Sequence, residues 1–165
     1  MKVISVMIML SALAAGPALS AGKDTPPRCD VTPVPYMGQL IDALSLRAVE
    51  AVNLAGGPSD APLKRLIADT APFTLGSGDA GRPLGTGVTG ARALRREMKA
   101  DGFRFLGWDY IPTPVGDVCS RFEVTVEFSD SRRKLVFPVT FIFEAGQIVT
   151  AKGWTRSFRS GAMSP

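Results

Sequence analysis

Trp108-Asp109-Tyr110 sets a carboxyl group between two aromatic side chains. Flanking rings strip water from an acid, raise its pKa and make it a usable proton carrier near neutral pH. The competing interpretation is a solvated aspartate on a packed strand. Neighbouring strand residues point to opposite faces, so only one of Asp109 and Tyr110 can enter a shared pocket. Trp154 and Arg156 share one face of the last strand, where a guanidinium beside an indole suits an anionic or aromatic ligand; packing of Trp154 against the sheet or a second subunit is the alternative. Glu123 and Glu127 also share a face, but roughly 13 Å apart along a strand, too far to act on one bond. The chain has no histidine, so histidine-dependent triads and the commonest metal ligand are excluded.

The only two cysteines, Cys29 and Cys119, cannot build a structural zinc site by themselves, and neither a metal nor a cofactor is expected. What they can do depends on compartment. Met1 to Ser20 reads as an export signal, with Lys2 before an apolar stretch from Val3 to Ala15 and the small-x-small pattern Ala18-Leu19-Ser20 at the cleavage point. The stretch falls short of the roughly 20 apolar residues that span a bilayer, so no membrane attachment is expected after cleavage. The mature chain is then periplasmic or extracellular, and an even cysteine count there points to one disulfide tying an N-terminal arm to a strand. A reactive thiol, its pKa lowered by Arg28 or Arg121, is the alternative.

The whole chain has 165 residues, a one-domain length, with 45% apolar residues and a net charge of +4. Its cations fall at Arg92 to Arg96, Arg132 to Lys134 and Arg156 to Arg159 without interleaved aromatics, which argues for solvated faces and against nucleic acid.

The elements that must position these residues can be read from periodicity. Residues 21–35 carry four prolines and form an extended arm. Met37, Leu40, Ile41, Leu44, Ala48, Ala51, Val52 and Ala55 recur at helical steps; Asp42 and Arg47 sit on the polar side as surface charge, and Gly56-Gly57-Pro58 stops the helix. Ser59 or Asp60 can cap a short second helix through Leu63, Leu66 and Ile67. From Pro72 to Gly90, six glycines and two prolines predict a long rim loop able to act as a lid. Within it, Gly76-Ser77-Gly78-Asp79-Ala80-Gly81 matches a dinucleotide-binding string, but without the preceding buried strand, the following helix or the βαβ context such a site needs. Thr89 can cap a third helix that ends at Gly102 in the left-handed conformation.

Strands follow. Phe103 to Ile111 is aromatic-rich, and Phe122 to Phe128 and Phe137 to Phe143 alternate apolar with polar. Turns at Ser129-Asp130-Ser131 and Ala145-Gly146-Gln147 make these and the segment Ile148 to Arg156 a meander. Pro138 calls for an edge or a bulge. Val136 and Ile142 would leave the outer face of the sheet partly apolar, as a surface covered by a second subunit would be.

The stretch Phe137-Pro-Val-Thr-Phe-Ile-Phe-Glu-Ala-Gly-Gln-Ile-Val149 followed by Trp154, after a helical first half, resembles the nuclear transport factor 2-like superfamily, which includes ketosteroid isomerases and SnoaL-like cyclases. The resemblance spans Tyr36 to Phe158. It implies an α+β cone, a curved antiparallel sheet of about four to six strands packed on three helices. A pocket between sheet and helices and dimerisation through the sheet are implied with it. The expected organisation is a signal peptide at 1–20, an arm at 21–35, the domain at 36–158 and a tail at 159–165. Two functions are expected. One is an exported, non-catalytic domain binding a small apolar or anionic ligand, or a partner subunit, with Trp108, Tyr110, Trp154 and Arg156 at the site. The other is a small isomerase or dehydratase with Asp109 as its acid or base.

Overall fold

The computed structural model of the chain describes residues 29–77, 80–106 and 113–157. Helix α1 (Met37–Leu54) buries Leu40, Leu44, Ala48, Val49, Ala51 and Val52, the stripe its spacing predicts. It ends where the Ala55 N–H closes on the Ala51 carbonyl, directly before Gly56 and Gly57. Helix α2 (Ala61–Leu66) carries Pro62 in its first turn and buries Leu63 and Leu66. Asp60 holds the N-cap position without a capping bond, and its carboxylate accepts from Arg92 Nη2 at 2.7 Å.

The expected loop at 72–90 is a β-hairpin. Strand β1 (Pro72–Ser77) pairs antiparallel with β2 (Ala80–Thr86), and helix α3 (Gly87–Met98) starts at once. The glycines read as loop formers serve close packing instead. A Cβ on Gly90 would lie 2.7 Å from both the Gly85 carbonyl oxygen and the Phe73 ring, so only glycine lets α3 settle on the hairpin. Gly87 has φ 52°, and a Cβ there would meet the Asp69 carbonyl oxygen at 2.6 Å. Pro83 lies in β2, which has no neighbour beyond it in the strand order and is thus an edge, where a missing donor is tolerated. A strand therefore does contain Gly76, contrary to expectation, but the next element is an antiparallel strand rather than a helix, so no dinucleotide cradle forms. Thr86, not Thr89, is the N-cap of α3, and Lys99 rather than Gly102 takes the left-handed position at its end, with φ 47°.

Gly102 opens β3 (Gly102–Phe105), the described part of the aromatic strand expected from 103 to 111. The meander is as its alternation predicts: β4 (Phe122–Asp130), β5 (Leu135–Glu144) and β6 (Gln147–Trp154), with two-residue β7 (Arg156–Ser157) beside β5. Strand β4 runs through Asp130, so the first turn comes later, at 131–134. The second turn has Ala145 at φ 49° and Gly146 at φ 79°, the positive pair that a tight hairpin needs. The strand order is β2-β1-β6-β5-β4-β3. The sheet is mixed rather than wholly antiparallel, because β1 joins β6 in parallel from Phe73↔Ala151 to Gly76↔Trp154. Register shifts at Phe73/Thr74 and Ile142/Phe143 mark irregularities of the kind that bend a sheet. Pro138 is neither on an edge strand nor at a shift. It occupies central β5, where pairing passes from β6 (Val139↔Gly153) to β7 (Val136↔Arg156), and the nearby Thr155 N–H turns to the Gly76 carbonyl at 2.8 Å.

Three helices thus back one face of a curved α+β sheet. The hollow expected there is largely filled by the protein's own side chains: Phe73, Phe137, Phe141 and Phe143 join Leu40, Leu44, Leu94 and Met98, all buried. Each buried phenylalanine contributes about 1.5–3 kcal/mol of transfer free energy. The arm belongs to this core. Val31 packs into it, and Cys29 is bonded to Cys119, which lies in the turn before β4 rather than in a strand.

Candidate functional site

A cavity opens on the helix side of the sheet. Between the end of α1, the end of α3 and edge strand β3 lies a cavity of about 350 Å³, lined by Val52, Asn53, Arg95, Ala100, Asp101, Gly102, Phe103 and Phe128. That volume falls at the small end of the range for ligand pockets. Alternation along β3 turns Phe103 to the helix side, opposite Phe128 of β4. Being on the edge strand, Phe103 escapes the core and is 49% exposed, whereas Phe128 is 2% exposed. Phe105, two residues on, stacks tilted against Phe103 with ring centroids 5.7 Å apart. Buried Val52 completes the apolar lining.

The polar groups around this lining differ in how far they are committed. Arg95, in the last turn of α3, donates Nη1–H to the Ala100 carbonyl at 3.0 Å, the one hydrogen bond its guanidinium makes among the described residues. A guanidinium carries five N–H donors, so most of this one remains available. Asp101 is fully engaged. Its carboxylate accepts from the Ser131 amide at 3.1 and 3.2 Å and from the Ser131 hydroxyl, and those bonds, the hydroxyl's first, hold its pKa below the ordinary carboxylate value. It is therefore an ionised wall of the cavity and a poor proton donor at neutral pH.

Behind the cavity a second carboxylate locks α3 to the sheet. Asp130, 4% exposed, accepts from the Arg133 amide at 2.9 Å and from the Arg133 Nε, contacts that lower its pKa in that order. The same guanidinium donates to the Glu97 carbonyl at 2.9 Å and to the Met98 carbonyl, satisfying two acceptors at the end of α3. Its carbon lies 5.7 Å from the centre of the Phe137 ring.

Asp109, Trp108 and Tyr110 lie outside the described residues, as do the expected export signal at 1–20 and positions 158–165. Trp154 ends β6 and Arg156 belongs to β7, and the unchanged β5 register keeps them on the outer face, away from the cavity. Trp154 is half-buried there, with Lys152 Nζ 5.1 Å from its ring centre, so the cation beside the indole is Lys152. Glu127 pairs with Arg104 at 2.6 Å across β3 and β4 on the same face.

Residues dismissed as surface charge have structural roles. Arg47 is largely buried and pairs with Asp30 of the arm, and Arg92 and Arg133 hold Asp60 and Asp130. Nothing in their spacing indicates this, since each partner is brought close only by the tertiary fold or a turn. Arg95 and Phe103 were legible only as a helix charge and a strand aromatic. Among the described residues no cluster of three or more metal-ligating side chains occurs, and no helix is long and apolar enough to cross a membrane.

Fold and cavity together define a helix-backed, curved-sheet α+β domain with a small cavity at its rim beside exposed Phe103. No protein-family model matches the chain, and no curated protein matches it at a significant level. Among solved structures it is similar to a nuclear transport factor 2-like protein of unknown function from Silicibacter pomeroyi DSS-3, at 12% identity and a TM-score of 0.46, over 72% of this chain and 98% of that one. A cystatin-like fold protein from Burkholderia xenovorans LB400 is similar at 14% identity and a TM-score of 0.43, over 74% and 95%. A nuclear transport factor 2-like protein of unknown function from Cytophaga hutchinsonii ATCC 33406 is similar at 16% identity and a TM-score of 0.39, over 70% and 89%.

Proposed function

We propose that this protein is an exported, non-catalytic domain that binds a small apolar molecule at the rim cavity between α1, α3 and β3. The observation that carries the reading is Phe103: a concave-face aromatic, 49% exposed, standing beside buried Phe128 over a cavity of about 350 Å³. Exposing half a phenylalanine to water forgoes about 1 kcal/mol of transfer free energy, which a bound apolar molecule recovers. The non-catalytic part rests on Asp101, the carboxylate that lines the opening, and on its neighbour Asp130. Asp101 and Asp130 are held ionised by donors that fix their geometry. Export is supported by the Cys29–Cys119 bridge, a bond that persists in oxidising compartments.

Native mass spectrometry of protein isolated from its own compartment tests both parts. A mature chain beginning at Ala21 with an added small-molecule mass, lost in Phe103→Ala, supports the reading; an uncleaved chain or a bare mass contradicts the corresponding part. A second association is favoured by the outer face, where Trp154, Ile142, Thr140 and Thr125 are half-buried around buried Val136 and Pro138. Self-association through this face is the partner reading. A sedimentation mass equal to one chain, unchanged by Ile142→Glu, would overturn it.

A further inference from the structure

We propose that the rim cavity selects an aromatic monocarboxylate, its ring against Phe103 and its carboxylate on Arg95. The inference rests on the binding reading above and adds the class of ligand.

Three features lead to it. First, the apolar surface is aromatic and small. Phe103, Phe128 and Val52 line about 350 Å³, room for one or two fused rings rather than a sterol-sized skeleton. Second, Arg95 is fixed yet unsaturated. Its Nη1–H bond to Ala100 at 3.0 Å anchors the side chain, while the guanidinium has no other hydrogen-bond partner among the described residues. A planar fork held this way accepts a carboxylate through two parallel N–H bonds, the geometry for which arginine is suited and lysine is not. Third, the other charge on the wall limits what can enter. Asp101 lies six residues after the last-turn Arg95, and both its oxygens accept from Ser131. It offers an incoming anion no proton and no free donor. A single negative charge directed to Arg95 is tolerated; a dianion meets Asp101 as a like charge. Asn53, on the α1 side of the opening, supplies an amide able to hydrogen-bond a ring substituent.

The same polar set favours an anion at Arg95, whose free N–H donors a cation cannot use. It also distinguishes this cavity from the larger opening of about 590 Å³ at the start of α3, where Arg92 is already paired with Asp60.

The test is calorimetric titration of the full, disulfide-intact mature chain with two probes of equal shape, 2-naphthoate and 2-naphthalenemethanol. The expected result is that naphthoate binds about tenfold tighter, the scale of a charge-assisted pair at a partly exposed site. In Arg95→Gln that preference falls to about one while naphthalenemethanol affinity stays the same, and in Phe103→Ala both probes weaken. Far-ultraviolet circular dichroism and melting of each variant show whether the fold is retained; Arg95→Lys, which keeps charge without the fork, is expected to recover only part of the preference. Equal affinity of the two probes for the unmodified protein overturns the carboxylate selection and leaves the pocket standing. Binding of neither probe overturns the pocket as well. Naphthoate binding that survives unchanged in Arg95→Gln overturns the role given to Arg95.

Discussion

Removing the Cys29–Cys119 bridge by the pair Cys29→Ala and Cys119→Ala has a consequence that can be worked from the structure. The two residues are separated by 90 positions, so the bridge closes most of the domain into one loop. In the chain-entropy account a loop of that length lowers the entropy of the unfolded ensemble by about 15 cal/mol/K, or about 4.6 kcal/mol at 25 °C. The folded state has other means of holding the arm. Val31 is 9% exposed within the core, Asp30 pairs with Arg47, and the Val115 N–H reaches the Pro35 carbonyl at 3.2 Å. The alanine pair is therefore expected to fold with the arm in place and to lose about 4–5 kcal/mol by acting on the unfolded chain. Urea unfolding followed by tryptophan fluorescence measures it. The midpoint should fall by about 2 M or more, and the slope should rise because the freed chain expands further. A loss below about 1.5 kcal/mol with an unchanged slope would refute the argument. It would mean that the unfolded chain is already compact near these residues.

Three further outcomes are expected. Phe141→Ala, at the centre of the filled concave face, should cost about 3–5 kcal/mol in the same urea assay, and a cost under about 1 kcal/mol would mean the face is hollow rather than packed. Gly87→Ala should lower the melting temperature, because φ 52° and the Asp69 carbonyl oxygen at 2.6 Å from the new Cβ forbid both the conformation and the space; an unchanged melting temperature counts against the placement of α3. Asp101 and Asp130 have lowered pKa values, so the stability they add is present above the carboxyl pKa of the unfolded chain and is lost as pH falls through their folded values. Melting temperature should therefore hold steady near neutral pH, where no histidine titrates, and drop below about pH 4. Asp130→Asn should shrink that drop, and an equally steep decline in the variant would contradict the assignment.

What could be read from the residues alone follows from how local each signal is. The α1 stripe from Leu40 to Val52, the alternation in β4 and β5, the Ala145-Gly146 turn and the pairing of the only two cysteines are settled by neighbours a few positions away or by simple count. The hairpin at 72–86 was not legible, because six glycines in 72–90 read locally as loop. Only the assembled sheet shows that Gly90 is small so that α3 can sit on Phe73 and the Gly85 carbonyl. The same limit applies to the site. Sequence drew attention to Asp109, Trp154 and Arg156 by residue type, and the last two proved to face outward. Phe103 is a functional candidate because β3 is an edge strand, and Arg95 because Ala100 anchors it while leaving donors free. Exposure and unsatisfied hydrogen-bonding capacity are properties of the packed chain, created by contacts between residues far apart in sequence, and so only the tertiary structure decides them.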